Sequence, residues 1–225
     1  MIDDENPGMQ DAEAPGRRDH EDDLQVDEQI PLLISKTMSN WVAVLVNPLK
    51  FFSDMQRSGG YLEPLVFAVA AGLASGIVRM VIGLVGWGFY VTTAWAILAL
   101  ILTPIFVAIG SFIGAGILYL IWQGMGSKAP FEASYRCAAY VTAIAPIAVL
   151  LRLIPYAGGV LALAWGFGLL ILASEKVHGI ARNKALIVFG AIFAVLAVLS
   201  VVSEYHARHL IYELGNWRVH IGSND

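Results

Sequence analysis

Long apolar stretches separated by short polar segments make up the chain from about residue 64 to residue 203. Five are long enough to cross a bilayer: 64–86, 93–122, 137–155, 158–174 and 185–203. A hydrocarbon core of about 30 Å takes about 20 apolar residues in a helix rising about 1.5 Å per residue. Helices are the expected form, because lipid offers no partner for unpaired backbone groups. The second stretch is longer than a perpendicular crossing needs, which predicts tilt or a kink at Pro104. The pattern predicts an all-α membrane protein, a five-transmembrane-helix bundle.

Ahead of the first span the periodicity changes. Met38, Trp41, Val42, Leu45 and Val46 recur at helical spacing, with Lys36, Ser39 and Asn40 on other faces. Asn47 then reads as an N-cap and Pro48 as the first helical residue. Leu49, Phe51, Phe52 and Met55 continue the apolar surface until Gly59 and Gly60 end it. Residues 31–60 are therefore expected to form two short amphipathic helices. In one arrangement they lie in the membrane interface, with Trp41, Phe51 and Phe52 as anchors and Lys50 and Arg57 near anionic headgroups. In the other, the same surface packs on the ends of the spans.

Composition agrees with a membrane protein: 57% of residues are apolar, 14% are charged and the mean hydropathy is +0.67. The net charge of −4 divides unevenly. Residues 1–30 hold eleven acids against Arg17 and Arg18, whereas the remainder holds seven acids against twelve Lys and Arg. So acidic and poor in aliphatic residues, the 1–30 segment cannot offset the entropy of ordering and is expected to be a disordered tail. It also lacks the basic start and apolar run of a signal peptide. With Cys137 as the single cysteine, no intramolecular disulfide can form. The expected division is a tail over 1–30, amphipathic helices over 31–60, a five-span domain over 61–205 and a short external tail over 206–225.

The basic residues also set an orientation. Arg17, Arg18, Lys36, Lys50, Arg57, Lys128, Arg136, Lys176, Arg182 and Lys184 fall on the N-terminal side of the membrane. The two short loops on the far side carry none, and the C-terminal tail carries Arg208 and Arg218. By the positive-inside rule the N-terminus is cytoplasmic and, after five spans, the C-terminus is external.

Candidate chemistry lies where charge meets membrane, because a charged group near the bilayer centre is costly unless paired or hydrated. Arg79 near the outer end of span one and Arg152 near that of span three suggest a basic vestibule paired with Glu204, or two side chains that snorkel outward. On the cytoplasmic side Glu63, Glu132, Arg136, Glu175, Lys176 and His178 gather. Glu175 and His178 are three apart and Arg136 and Tyr140 four apart, so each pair is expected to share a helix face. A structural ion-pair network and a proton-linked or headgroup-binding site both fit these residues. Ala68, Gly72 and Gly76, and again Gly110 and Gly114, fall four apart, a spacing that lets helices approach within the chain or in a homo-oligomer.

Other classes are not favoured. The sequence has no phosphate-binding glycine loop, no His-Glu-x-x-His, no paired-cysteine metal spacing and no Gly-x-Ser-x-Gly elbow. His206 and His209 alone make too weak a metal site. No catalytic, cofactor-binding or metal-binding residue is assigned, and no basic, aromatic-interleaved surface points to nucleic acid.

Several boundary motifs together resemble the Yip family, and in particular its bacterial members. They are Asn47-Pro48-Leu49-Lys50-Phe51-Phe52, Gly60 to Pro64, Phe131 to Tyr140, Ile154 to Gly159, Trp165, and Glu175 to Ile180. The resemblance covers about residues 45–203. It implies five spans with a cytoplasmic N-terminus, and its eukaryotic branch works in vesicle traffic and membrane shaping with Rab-type small GTPases. The acidic tail here does not align with the segments linked to GTPase binding, so that partnership is not carried over. The expected function is non-enzymatic organisation of membrane or partner proteins in a bacterial inner membrane. The alternative is a small transporter, channel or lipid-moving protein that uses Arg79, Arg152 and the Glu175 and His178 face.

The orientation can be tested directly. Reporters active only outside the cytoplasm should be active when fused after Tyr156 and after His220. Activity after Lys128 instead would invert the topology.

Overall fold

The computed structural model describes residues 15–86 and 93–222, with side chains over 31–83 and 98–210. Eight α-helices, α1 to α8, run Pro15–Val46, Pro48–Asp54, Leu62–Gly86, Thr93–Gly124, Phe131–Val141, Ala145–Leu151, Ala157–Lys176 and Arg182–Gly222. A 3-10 turn at Thr142–Ile144 joins α5 to α6, and the described residues contain no strand. Five stretches are long and apolar enough to cross a membrane: Leu62–Gly83, Leu98–Gly124, Phe131–Leu151, Ala157–Lys176 and Arg182–Leu210. The five-span architecture is thus as the hydropathy pattern predicts.

Three boundaries differ from the sequence reading. The third span starts at Phe131, six residues before the expected 137, which moves Arg136 from a loop into the helix. Pro130 supplies the extended residue before it and Glu132 the acid in its first turn, both helix-start features. At the far end α8 remains helical through Gly222, into the segment expected to be a short tail. At the N-terminus α1 begins at Pro15, so residues 15–30 of the acidic segment are helical backbone. Residues 1–14, the outer segment 87–92 and residues 223–225 lie outside the described residues.

The third span is the centre of the bundle. Of its most apolar 18-residue stretch 56% is buried, against 11% in the corresponding stretches of α4 and α8, which are left facing lipid. Helix α3 packs on α4, α5 and α6; α4 on α5; α6 on α7; and α7 on α8. The break in the third span follows from Pro146, which lacks an N–H and whose ring disfavours helical geometry one turn earlier. Thr142 Oγ1 donates to Ala139 O at 2.5 Å, and the Trp41 indole donates to Ala143 O at 2.9 Å, so the break does not leave these carbonyls bare in lipid.

That last bond also decides how the amphipathic helices sit. Trp41, Phe51 and Phe52, the expected lipid anchors, turn inward: Phe52 is buried, and Trp41 and Phe51 pack beside it against the core of Phe67, Trp122, Tyr140, Leu169 and Phe189. Helix α1 contacts α3 and α5 while α2 contacts α7. Met38, Val42, Val46 and Leu49 remain exposed on the other side. The packing alternative holds for the aromatic residues and leaves an aliphatic face free.

Helix α3 approaches α4 closely through its small residues. A Cβ at Gly72 would collide with the backbone of Pro104, and one at Gly76 would come within 3.2 Å of Leu100 Cα. This stripe is used inside the chain. At Gly110 and Gly114 the space a Cβ would occupy is empty. On the opposite end, Tyr156 at φ 61° turns the chain between α6 and α7, and Gly158 lies against the Leu151 carbonyl, where no side chain fits.

Gly72→Ala should therefore destabilise the purified protein by about 1–3 kcal/mol in thermal or chemical unfolding, the usual range for overpacking. Gly110→Ala should lie within about 0.5 kcal/mol of wild type or be slightly stabilising, since it adds helix propensity in open space.

Candidate functional site

The basic residues that flank α3, α5 and α8 gather polar side chains at one end of the bundle, here called the basic end. Arg136 lies there one turn into α5 with its side chain only 2% exposed. A guanidinium does not deprotonate at any ordinary pH, so a buried one requires a carboxylate. Glu63, in the first turn of α3, supplies it, with Oε2 3.0 Å from Arg136 Nη2. The same oxygen is 3.1 Å from Lys36 Nζ on α1. Oε1 accepts the Tyr140 hydroxyl at 3.0 Å and the Asn40 amide at 3.2 Å. One carboxylate thereby receives four donors from α1 and α5, and its hydrogen-bonding capacity is full.

The turn before α3 completes the arrangement. Gly59 and Gly60, at φ 138° and 86°, adopt backbone angles that favour glycine. This places Gly60 O to accept from Arg136 Nη1 at 3.1 Å and Gly60 N–H to donate to Glu132 Oε1 at 2.6 Å. Glu132 is itself 3.9 Å from Arg136. Around Tyr140 the rings of Phe51 and Phe67 stand edge-on at 4.9 and 5.0 Å, sealing the inner side of the cluster. Beside it a cavity of about 440 Å³ opens between α1, α2, α3 and α5.

A second buried group lies where α4 ends and α8 begins. His178 stacks on Trp122 at 3.8 Å between ring centroids. Its Nδ1 is 2.9 Å from Ser127 Oγ, which already accepts the Ala129 N–H at 3.2 Å. Which of the two donates depends on the imidazole tautomer, protonated on Nδ1 or on Nε2. That Nε2 is buried and has no partner among the described residues. The Trp122 indole donates to Ser174 Oγ at 2.7 Å, and Ser174 donates to Leu170 O. Cations cap the adjoining helix ends: Lys184 donates to Met125 O at 2.8 Å and Arg57 to Lys176 O at 3.3 Å. Burial lowers the His178 pKa to about 4, and the Arg57 guanidinium acts in the same direction.

Of the residues singled out in the sequence, Arg136 and Tyr140 are brought together as their spacing predicts, both on Glu63. Glu175 and His178 are not. Helix α7 ends at Lys176, so the three-residue spacing no longer defines a shared face; Glu175 pairs with Lys176 at 2.9 Å while His178 turns into the core. Arg79 and Arg152 are exposed at the opposite end, and Glu204 pairs with Arg208 at 2.8 Å rather than with either of them. Lys36, Asn40, Trp122, Ser127 and Ser174 were not among the candidates. For Lys36 and Asn40 a signal existed, since they are four apart on the polar face of α1. The described residues contain no cluster of three or more His, Cys, Asp or Glu suited to a metal.

Among known proteins, the family model described as the Yip1 domain matches residues 42–203, from within α1 to the upper part of α8. No curated protein and no solved structure matches the chain.

The depressed pKa of His178 has a definite consequence for stability. Between about pH 6.5 and about pH 4 the unfolded chain binds a proton that the native imidazole refuses, so stability is full above that window and falls as pH drops through it. Wild-type protein should lose about 2 kcal/mol between roughly pH 7 and pH 5 in unfolding experiments, and His178→Gln should flatten that loss. An unchanged slope in the variant would remove His178 as its source.

Proposed function

The chain belongs to the Yip1 domain family of integral membrane proteins, and from that premise we propose that it is a non-enzymatic organiser of the bilayer around it. The observation that carries this reading is the clamped amphipathic unit. Helices α1 and α2 are held to the bundle by the Trp41 to Ala143 bond, the Lys36 and Asn40 contacts with Glu63, and buried Val44 and Phe52. Held in this way, they present Met38, Val42, Val46 and Leu49 outward, with Lys50 and Arg57 exposed nearby.

An aliphatic face beside exposed cations has the chemistry of an interfacial helix, with apolar side chains below the headgroups and cations among anionic lipids. Rigid attachment matters physically. A loosely tethered helix samples the interface independently, whereas one fixed to five spans imposes its wedge wherever the bundle sits. In the orientation read from the loop charges, the wedge enters the cytoplasmic leaflet of a bacterial inner membrane. The transport alternative would need a polar route from the Glu63 cluster to Arg79 and Arg152. Along α3 between Glu63 and Arg79 the buried residues are mostly apolar, Phe67, Ala68 and Ala71 with Ser75 among them, which favours the organising role.

Purified protein reconstituted into anionic liposomes should change vesicle shape in electron micrographs in proportion to protein density. The triple variant Met38→Ser, Val42→Ser, Val46→Ser should insert normally and lose most of that effect, because each exposed chain stabilises interfacial burial by about 1–2 kcal/mol. Protein-dependent flux of protons, ions or fluorescent lipid with unchanged vesicle shape would transfer the assignment to transport.

A further inference from the structure

The cavity beside the Glu63 cluster has an electrostatic character that the cluster does not use up. Its walls include Lys36, Lys50 and Arg136 on the positive side and Asp54 and Glu63 on the negative. Both Glu63 oxygens are already saturated by four donors, so Glu63 has no acceptor capacity left for a guest. The donors are in surplus. Lys36 gives one contact to Glu63 and keeps its other protons, while the Lys50 ammonium has no ion pair among the described residues. Arg136 Nε, in a side chain 2% exposed, is buried with no partner. The Gln56 amide adds a further donor on the wall, and Ala43, Phe51 and Met55 supply apolar surface.

Depth narrows the occupant. Glu63 is the second residue of the first span and Arg136 the sixth of the third, so the cavity lies at the level of the helix ends, where a bilayer places its phosphates. A volume of about 440 Å³ is that of a small-molecule site. Lys36, Lys50 and Arg136 outnumber Asp54 and Glu63 on the walls, and with the Glu63 oxygens already filled the balance favours an anionic guest over a cation. We infer that this cavity binds a phosphate-bearing anion, with Lys36 and Lys50 as its charged clamp and Arg136 as its inner wall. Phospholipid headgroups and soluble phosphate compounds share this chemistry. The site is separate from the exposed face of Met38, Val42 and Val46, so either assignment can fail alone.

The test is thermal unfolding of the full chain in neutral detergent, titrated with dioctanoyl-phosphatidylglycerol, dioctanoyl-phosphatidylcholine or inorganic phosphate. Wild type should be stabilised saturably, and Lys36→Gln/Lys50→Gln should weaken the apparent affinity at least about tenfold, as expected for the loss of charge-assisted contacts. Lys128→Gln, an exposed cation outside the cavity, should titrate like wild type. Stronger stabilisation by phosphatidylglycerol than by the other two identifies an anionic lipid. Equal stabilisation by inorganic phosphate identifies a soluble anion, and both results support the site. If the double variant does not fold, Lys50→Gln alone serves, because that side chain is exposed and carries no ion pair among the described residues. Identical titrations of wild type and variant, or no saturable stabilisation by any probe, would overturn the inference.

Discussion

A guanidinium inside a membrane helix cannot be left alone, and most of the order at the basic end follows from meeting that constraint at Arg136. Snorkelling is not open to it, since its side chain is 2% exposed and is enclosed by α3 and the turn before it. An unpaired buried charge of this kind costs about 3–5 kcal/mol. Glu63 removes that penalty, and in doing so it fixes the register of α3 against α5. Its remaining lone pairs would themselves be costly if bare, and they are taken by Tyr140, Asn40 and Lys36. The requirement to satisfy one charge thus passes outward, from α5 to α3 to α1, until it reaches solvent at Lys36.

The break in the third span transmits a second constraint to the same helix α1. Pro146 interrupts the helix within the membrane, and the Trp41 indole bonds a carbonyl at the interruption. Helix α1 is therefore held at two points: at Glu63 by polar side chains, and at Ala143 by an indole that also packs against Phe67 at 5.7 Å. Two separated contacts define an orientation where one would allow a swivel. This is why the amphipathic helices turn their aromatic residues inward, although those residues have the composition of interfacial anchors.

The sequence makes the spans legible because lipid enforces a simple rule of length and hydropathy, and the structure reproduces all five. The Arg136 and Tyr140 face was equally legible, because a four-residue spacing inside one helix is a local fact. What those residues meet was not, since Glu63 is 73 positions from Arg136 and the pairing depends on how α3 packs on α5. Local spacing also misled where a helix stopped. Glu175 and His178 share a face only if α7 continues past Lys176, and it does not. Counting charges between apolar runs treats any cation as an end, which sets Arg136 just outside the expected third span. Pro130 and Glu132 carried the opposite signal, that of a helix already begun.

The two ends of the bundle consequently differ in kind. At the far end the chain turns on the geometry of Tyr156 and Gly158, and its ion pair, Glu204 with Arg208, joins neighbours on one helix. Solvent screens this exposed pair, and its link to the rest of the bundle is the Arg208 guanidinium lying 5.4 Å over the Tyr156 ring. At the basic end Glu63 reaches from α3 to Lys36 on α1 and to the buried Arg136 on α5, and Lys184 and Arg57 bind the carbonyls of Met125, just past α4, and of Lys176, the last residue of α7. Several cations that set the expected orientation are therefore also structural. Their position is fixed twice, once by the asymmetry of membrane insertion and once by the helix ends they close. Lys50 belongs to neither group, being exposed and without an ion pair among the described residues, and it lies on the cavity wall. A cation that the fold does not use is the one most available to a guest.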